Sequence, residues 1–191
     1  MRLKDVEILQ IGSVDPIKQS PTDDSTIKVA DFGFAKKCPG PESLITQCGS
    51  AQHVAPEILN NVAYGTKVDM WALGVIMNTI IGGCPPFYDS TNQGTFRKIL
   101  DGEYSFDEEN WGHISEDCKD VIRNLLVFDP KKRWSTEDCL SSRWMKGDPS
   151  VLSSVSLRPN QLRLQDFRAK QKLKAAVYAV IGMNRLADTS E

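Results

Sequence analysis

Two aspartates in this sequence are placed where a carboxylate could do chemistry. Asp31 follows residues 26–30, whose alternating polar and apolar side chains predict a strand. A carboxylate on the turn after a strand is a hard oxygen ligand for a cation such as magnesium. Asp69 lies near the start of residues 66–81, which are apolar on every side, so we expect a buried helix there. A buried carboxylate needs hydrogen-bond donors, although the helix dipole alone also favours an acidic residue in the first turn.

The elements that must position these residues are predicted to be mainly α-helical. The central helix is too short to cross a membrane, and Gly82-Gly83 followed by Pro85-Pro86 ends it. Residues 34–53 are polar and rich in Ser and Thr, which predicts a long loop of the kind that is often functional. Further helices are predicted to begin near residue 54 and to span residues 94–101, 116–127 and 135–140.

Charge and cysteine content exclude several classes of protein. The 191 residues carry a net charge of −2, but residues 158–186 hold seven basic side chains against one acidic one. That segment is therefore +6 and the rest −8, which suggests a tail that meets an acidic surface. The five cysteines show no Cys-x-x-Cys spacing, so we expect reduced thiols and a cytoplasmic or nuclear location. We expect no signal peptide and no membrane span. We also expect no nucleic-acid role, because the basic run has little aromatic interleaving.

Residues 160–187 predict a basic amphipathic helix. Its apolar face and the charge around it are formed by Leu173, Val177, Val180, Leu186, Lys172 and Lys174. Such a helix is typical of a membrane-surface or calmodulin-target segment, and the lack of a Trp anchor disfavours the membrane. Leu173 and Leu186 stand at the two ends of a span that would fill both Met-rich grooves of acidic, calcium-loaded calmodulin. In the simpler alternative, the helix packs on the domain through its apolar face.

Five motifs follow one another in the order and spacing of a known family. They are Asp31-Phe32-Gly33, Ala55-Pro56-Glu57, Asp69-Met70-Trp71-Ala72-Leu73-Gly74, Gly83-Cys84-Pro85-Pro86-Phe87 and Asp129-Pro130-Lys131-Lys132-Arg133. The series resembles the C-terminal, large lobe of eukaryotic Ser/Thr protein kinases, in the style of the calcium/calmodulin-dependent group. The resemblance implies a mainly α fold in three parts: a partial kinase domain over 1–146, a linker over 147–159 and an autoregulatory, calmodulin-binding helix over 160–187.

This resemblance implies ATP and Mg²⁺ as cofactors, and calcium-loaded calmodulin and protein substrates as partners. Asp31 would bind the metal, Leu9 would form the floor of the adenine pocket, and Lys4 would be the catalytic-loop lysine. Thr46 matches the activating phosphothreonine of this group, and Ser50 the threonine of the activation segment.

Three more residues receive structural roles from the resemblance. Glu57 and Arg133 match the partners of a buried ion pair, and Asp69 matches the carboxylate that holds the catalytic-loop backbone.

Two departures from the family pattern bear on activity. Where the family reads His-Arg-Asp-Leu-Lys-Pro-Glu-Asn, residues 3–9 align so that Arg2 stands at the catalytic aspartate and Glu7 at the metal-binding asparagine. The glycine-rich loop and the ATP-binding lysine have no counterpart in these residues. We therefore expect a kinase present as a truncated chain that is inactive alone; the alternative is a non-catalytic calmodulin-binding or pseudokinase-like regulatory protein. In addition, Ala51-Gln52-His53 replaces the usual Pro-x-Tyr, so substrate docking beside this loop should differ.

Overall fold

The computed structural model describes residues 32–33, 35–40, 42–46, 50–148 and 155–188, with side chains of the last helix as far as Ala175. These residues form a mainly α-helical structure, as predicted, and no strand occurs among them. Leu44 and Tyr64 make an isolated antiparallel bridge. The helices are α1 (Pro56–Leu59), α2 (Lys67–Gly82), α3 (Asn92–Asp101), α4 (Glu108–Trp111), α5 (Glu116–Leu125), α6 (Thr136–Ser141) and α7 (Arg158–Asp188). The predicted strand over 26–30 lies outside the described residues.

Helix α2 is the element around which the others pack. Trp71 and Val75 are fully buried along it, while Ile80 near its end is exposed. Gly83 ends the helix in the left-handed conformation, with a φ of 82°. The prediction of a central helix is therefore confirmed, one residue later at each end than the expected 66–81.

Helix α5 crosses α2 at a glycine. A Cβ atom on Gly74 would stand 2.8 Å from Cβ of Leu125 and 2.9 Å from Cδ2 of Leu126. Atoms that close cannot coexist, so the two backbones approach as they do only because residue 74 has no side chain. This contact explains the glycine at the end of the Asp69–Gly74 motif.

The helix ends follow the side chains that cap them. Helix α3 begins two residues before the predicted start, because Thr91 Oγ1 accepts a hydrogen bond from the Gly94 amide at 3.0 Å. Helix α5 ends at Leu125 rather than 127. Helix α6 begins one residue late, at Thr136, since Ser135 and Asp138 form a capping box in front of it.

A chain of aromatic rings joins α2 to α4, a helix that the sequence analysis missed. Trp71 stacks on Phe87 at 5.4 Å, and Phe87 meets Tyr104 edge-on at 5.7 Å. Tyr104 contacts Phe106, which contacts Trp111 at 4.6 Å. Helix α4 has only four residues, too few for a periodic pattern, and it serves to bury Trp111 in this row.

The long helix α7 begins at Arg158, two residues before the predicted start, and continues to Asp188. The predicted linker, 147–159, therefore includes the first helical residues; its residues 149–154 lie outside the described part. Among the described residues, no helix is both long and apolar enough to span a membrane.

Candidate functional site

Glu57 and Arg133, which lie 76 positions apart in the sequence, form a two-pronged ion pair in the protein interior. Arg133 Nη1 donates to Glu57 Oε1 at 2.7 Å, and Nη2 donates to Oε2 at 3.0 Å. The Arg133 side chain is 0% exposed and that of Glu57 5%. Parallel bonds of this kind are the strongest that a guanidinium and a carboxylate form.

The remaining donors of Arg133 are also used. Its Nε donates to the Val127 carbonyl at 3.0 Å and its Nη1 also donates to the Lys67 carbonyl at 2.7 Å. The guanidinium carbon stands 5.1 Å from the centre of the Trp71 ring. One side chain thus joins the start of α1, the start of α2 and the turn after α5. This arrangement fixes the end of the loop that carries the candidate phosphorylation site.

Asp69, in the first turn of α2, is half-buried rather than fully enclosed as the sequence analysis expected. It borders a shallow, mostly apolar cavity that is open to solvent. The other residues that line this cavity are His53, Val54, Ala55, Ile58, Val68 and Ala72.

His53 places an imidazole in the same cavity. Burial lowers its pKa below the usual 6.5. Its Nδ1 atom is buried without a hydrogen-bond partner among the described residues. The side chain is therefore held as a neutral imidazole at neutral pH.

Thr46 lies on the surface, and Tyr64 holds the backbone at and before this residue. The Tyr64 hydroxyl donates to the Thr46 carbonyl at 2.6 Å, next to the bridge between Leu44 and Tyr64. Lys36 Nζ donates to the Thr46 hydroxyl at 2.9 Å. Sequence reasoning missed Lys36, because it lies ten positions earlier and nothing local joins the two residues. Ser50, four residues on, is half-buried, and its carbonyl accepts from the His53 amide at 2.9 Å.

The residues predicted to bind the metal, to form the floor of the adenine pocket and to act in the catalytic loop lie outside the described part of the chain. These are Asp31, Leu9 and Lys4. Phe32 and Gly33, which complete the Asp31 motif, are both exposed. The described residues contain no cluster of three or more His, Cys, Asp or Glu side chains that could hold a metal.

Helix α7 is docked on the lobe at the end of α2. Asn160 Nδ2 donates to the carbonyls of Ile81 at 2.6 Å and Asn110 at 2.9 Å. Further along, Phe167 meets Tyr88 edge-on, with 4.9 Å between the ring centres.

The residues of α7 predicted to bind calmodulin differ in their contacts with the lobe. Leu173 is 67% exposed, and Lys172 is exposed beside it. Lys174 reaches the Ser90 carbonyl at 2.9 Å. The simpler alternative, a helix packed through its apolar face, is therefore wrong at Leu173. The side chains of Val177, Val180 and Leu186 lie outside the described part.

Comparison with known proteins agrees with this architecture. The model of the family described as "Protein kinase domain" matches residues 17–145. Calcium/calmodulin-dependent protein kinase type IV of Homo sapiens is 41% identical over 172 residues, which cover 90% of this chain and 36% of that protein. Calcium/calmodulin-dependent protein kinase type 1B of Homo sapiens is 44% identical over 156 residues, 78% of this chain and 45% of the relative. A probable myosin light chain kinase of Dictyostelium discoideum is 45% identical over 136 residues, 71% of this chain and 39% of that protein.

The chain thus spans between about a third and a half of the length of these relatives. The matched region contains α1 to α6 and both partners of the buried ion pair. The chain belongs to the protein kinase domain family, and within it to the Ser/Thr kinases of the calcium/calmodulin-dependent group.

Proposed function

We propose that this chain forms the substrate-binding part of a Ser/Thr protein kinase that calcium-loaded calmodulin controls. The observation that carries the proposal is the buried pair of Glu57 and Arg133, which joins two kinase motifs across the lobe. In the intact enzyme, Asp31 would hold magnesium and Leu9 would support the adenine of ATP. Magnesium bound between the β- and γ-phosphates neutralises the charge that develops during phosphoryl transfer.

The proposal is tested by supplying what the 191 residues do not contain. The chain is fused behind an N-terminal kinase lobe that ends in an intact His-Arg-Asp loop, and transfer of radiolabelled phosphate to protein Ser or Thr is measured. We expect turnover from the fusion and none from residues 1–191 alone, since the catalytic base and the second metal ligand are missing from them. Asp31→Ala in the fusion is the control. A fusion no more active than this control would favour the non-catalytic regulatory protein instead.

We further propose that phosphorylation of Thr46 activates the kinase. The hydroxyl is exposed and already lies within hydrogen-bond distance of the Lys36 ammonium. A phosphate at this position adds charge that such a cation can bind, which orders the loop. In the active fusion, Thr46→Ala should remove activation by an upstream kinase and Lys36→Met should reduce it. The neighbouring Lys37→Met is the matched control; unchanged activation of the Thr46→Ala variant would contradict the proposal.

Helix α7 is proposed as the calmodulin-binding element. Its support is the exposed Leu173 on a helix with a net positive charge, a combination that suits the acidic, Met-rich grooves of calmodulin. A peptide of residues 164–190 should bind calmodulin in calcium and release it when the calcium is chelated. Leu173→Asp should abolish binding, whereas Thr189→Ala should not. The regulatory proposal fails if titration calorimetry shows no calcium-dependent binding of the unmodified peptide at micromolar concentrations.

A further inference from the structure

The loop that leads into α3 makes two contacts with α7. The ring of Tyr88 meets the ring of Phe167 edge-on, with 4.9 Å between their centres. Two residues later, the Ser90 carbonyl accepts a hydrogen bond from Lys174 Nζ at 2.9 Å. A chemical change in this loop therefore acts directly on the contact between α7 and the lobe.

Ser90 carries the hydroxyl in this loop that is open to modification. The residue is exposed, and its Oγ lies 3.5 Å from Asp89 Oδ1, which is a long distance for a hydrogen bond. The hydroxyl of the next residue, Thr91, is fully used: it accepts from the Gly94 amide at 3.0 Å and donates to Asp89 at 3.1 Å. Of these two adjacent hydroxyls, that of Ser90 can therefore be changed without removing the cap of α3.

Two lysine ammonium groups from different helices are bound to the backbone around this hydroxyl. Lys174 of α7 reaches the carbonyl of Ser90 itself. Lys98 of α3 donates to the Tyr88 carbonyl at 2.9 Å, and its Nζ lies 3.9 Å from Asp89 Oδ2. A phosphate on the loop would add a charge of about −1.5 to −2. An ammonium group that now binds a neutral carbonyl would form a stronger, charge-assisted bond with such a group.

Asp89 is the negative charge that opposes a phosphate on Ser90. Its carboxylate is held at the start of α3, where it accepts from the Thr91 amide at 3.0 Å. Repulsion would turn the phosphate away from Asp89, and the exposed Ser90 side chain has room to rotate. Because Lys174 already binds the same residue through its carbonyl, its ammonium lies within reach of the new phosphate oxygens.

We propose that Ser90 is a phosphorylation site, and that its phosphate binds the Lys174 ammonium and tightens the attachment of α7 to the lobe. A second Ser/Thr protein kinase supplies the phosphoryl group from ATP. Ser90 Oγ forms a bond to the γ-phosphorus, the bond from that phosphorus to the oxygen of the leaving ADP breaks, and the hydroxyl proton passes to the base of that kinase. Whatever lifts this stretch of α7 from the lobe must then break an ion pair as well.

Hydrogen exchange of the full 191-residue chain tests the effect of the phosphate. Phosphoserine is placed at residue 90 by genetic encoding, and amide exchange is compared with that of the unmodified chain. Exchange of residues 171–175 should slow by about two- to fivefold, the range that an exposed ion pair supports. Unchanged or faster exchange would overturn the proposal.

Three controls separate the ion pair from other effects of the added charge. In the chain with phosphoserine at residue 90, Lys174→Met should abolish the slowing, because the cation is gone. Lys172→Met, which changes an exposed lysine on the same helix, should preserve it. Phosphoserine in place of Ser105, another exposed serine of the lobe, should leave the exchange of 171–175 as it was. Slowing that persists in Lys174→Met would overturn the proposed contact.

Mass spectrometry tests the modification itself. The chain is isolated from the cells that produce it, with phosphatases inhibited, and is digested with trypsin, which releases residues 68–97 as one peptide. Fragmentation of this peptide should place a phosphate on Ser90. A peptide without phosphate, or one that carries it only on Thr91, would overturn the assignment of the site.

Discussion

At the scale of single residues, Arg133 shows how this lobe accommodates a charge in its interior. Desolvation of a guanidinium is costly, and it is offset here by two carboxylate bonds, backbone acceptors and the face of Trp71. A buried pair of this kind is not by itself evidence of high stability. Breaking one partner is nevertheless expensive, because the other charge remains enclosed.

We predict that Arg133→Met destabilises the lobe by about 3–5 kcal/mol, since Glu57 would be left as a buried carboxylate without its cation. Urea unfolding followed by circular dichroism measures the loss. Lys131→Met is the control, because Lys131 is 81% exposed, and it should change stability by less than about 0.5 kcal/mol. A loss below about 1 kcal/mol for Arg133→Met would show that the surrounding structure relaxes and lets water reach Glu57.

His53 makes the stability of the lobe depend on pH in a predictable direction. Burial lowers the pKa of the folded-state imidazole from 6.5, so below that pH the unfolded chain binds more protons than the folded one. The contribution of His53 is therefore fully present above pH 6.5 and is lost as the pH falls toward the folded-state pKa. We expect His53→Gln to lose less stability than the unmodified protein between pH 7 and 5.5. His113→Gln, at an exposed position, should keep the original profile.

At the scale of elements, the crossing of α2 and α5 sets two effects against each other at Gly74. Alanine is favoured over glycine inside a helix by about 1 kcal/mol. Against this, the added Cβ would meet the Cβ of Leu125 at 2.8 Å, an atom that cannot move away without its backbone. The helices would have to separate, and the packing around them would be lost.

At residue 74, the steric cost of the added Cβ atom should exceed the gain in helix propensity. We predict that Gly74→Ala destabilises the protein by about 1–3 kcal/mol, the usual cost of overpacking a core. Thermal unfolding of the variant is the measurement. Gln93→Ala, an exposed substitution on α3 that also introduces alanine, should stay within about 0.5 kcal/mol of the original. A stabilised Gly74→Ala variant would mean that α5 can shift at little cost.

At the scale of the whole molecule, the sequence predicts those parts of the fold whose causes are local. The central helix follows from a continuous apolar run and the glycines after it, and the capped helices follow from periodicity. Helix α4 was missed because four residues carry no period. Lys36 and Asn160 were missed for another reason: each acts through a partner far away in the chain. In addition, a polar residue such as Asn160 is usually expected to be exposed. Only the carbonyls at two helix ends explain why it is buried.

The buried Asn160 couples the stability of the lobe to the docking of α7. Deleting residues 158–191 would remove the donors to Ile81 and Asn110 and uncover Tyr88. Two hydrogen bonds and one aromatic contact are together worth about 1.5–4.5 kcal/mol. For a protein of this size, such a loss lowers the Tm by roughly 3–18 °C.

The matched control is a shorter deletion, of residues 176–191, which keeps Asn160, Phe167 and the contact from Lys174 to Ser90. We predict that this deletion leaves the Tm within about 2 °C, since it removes none of these contacts. Differential scanning calorimetry of the three chains at one protein concentration measures the difference. Equal Tm values for the two deletions would show that α7 rests on the lobe without stabilising it, whereas a drop confined to the longer deletion locates the stabilising contact in the first half of α7.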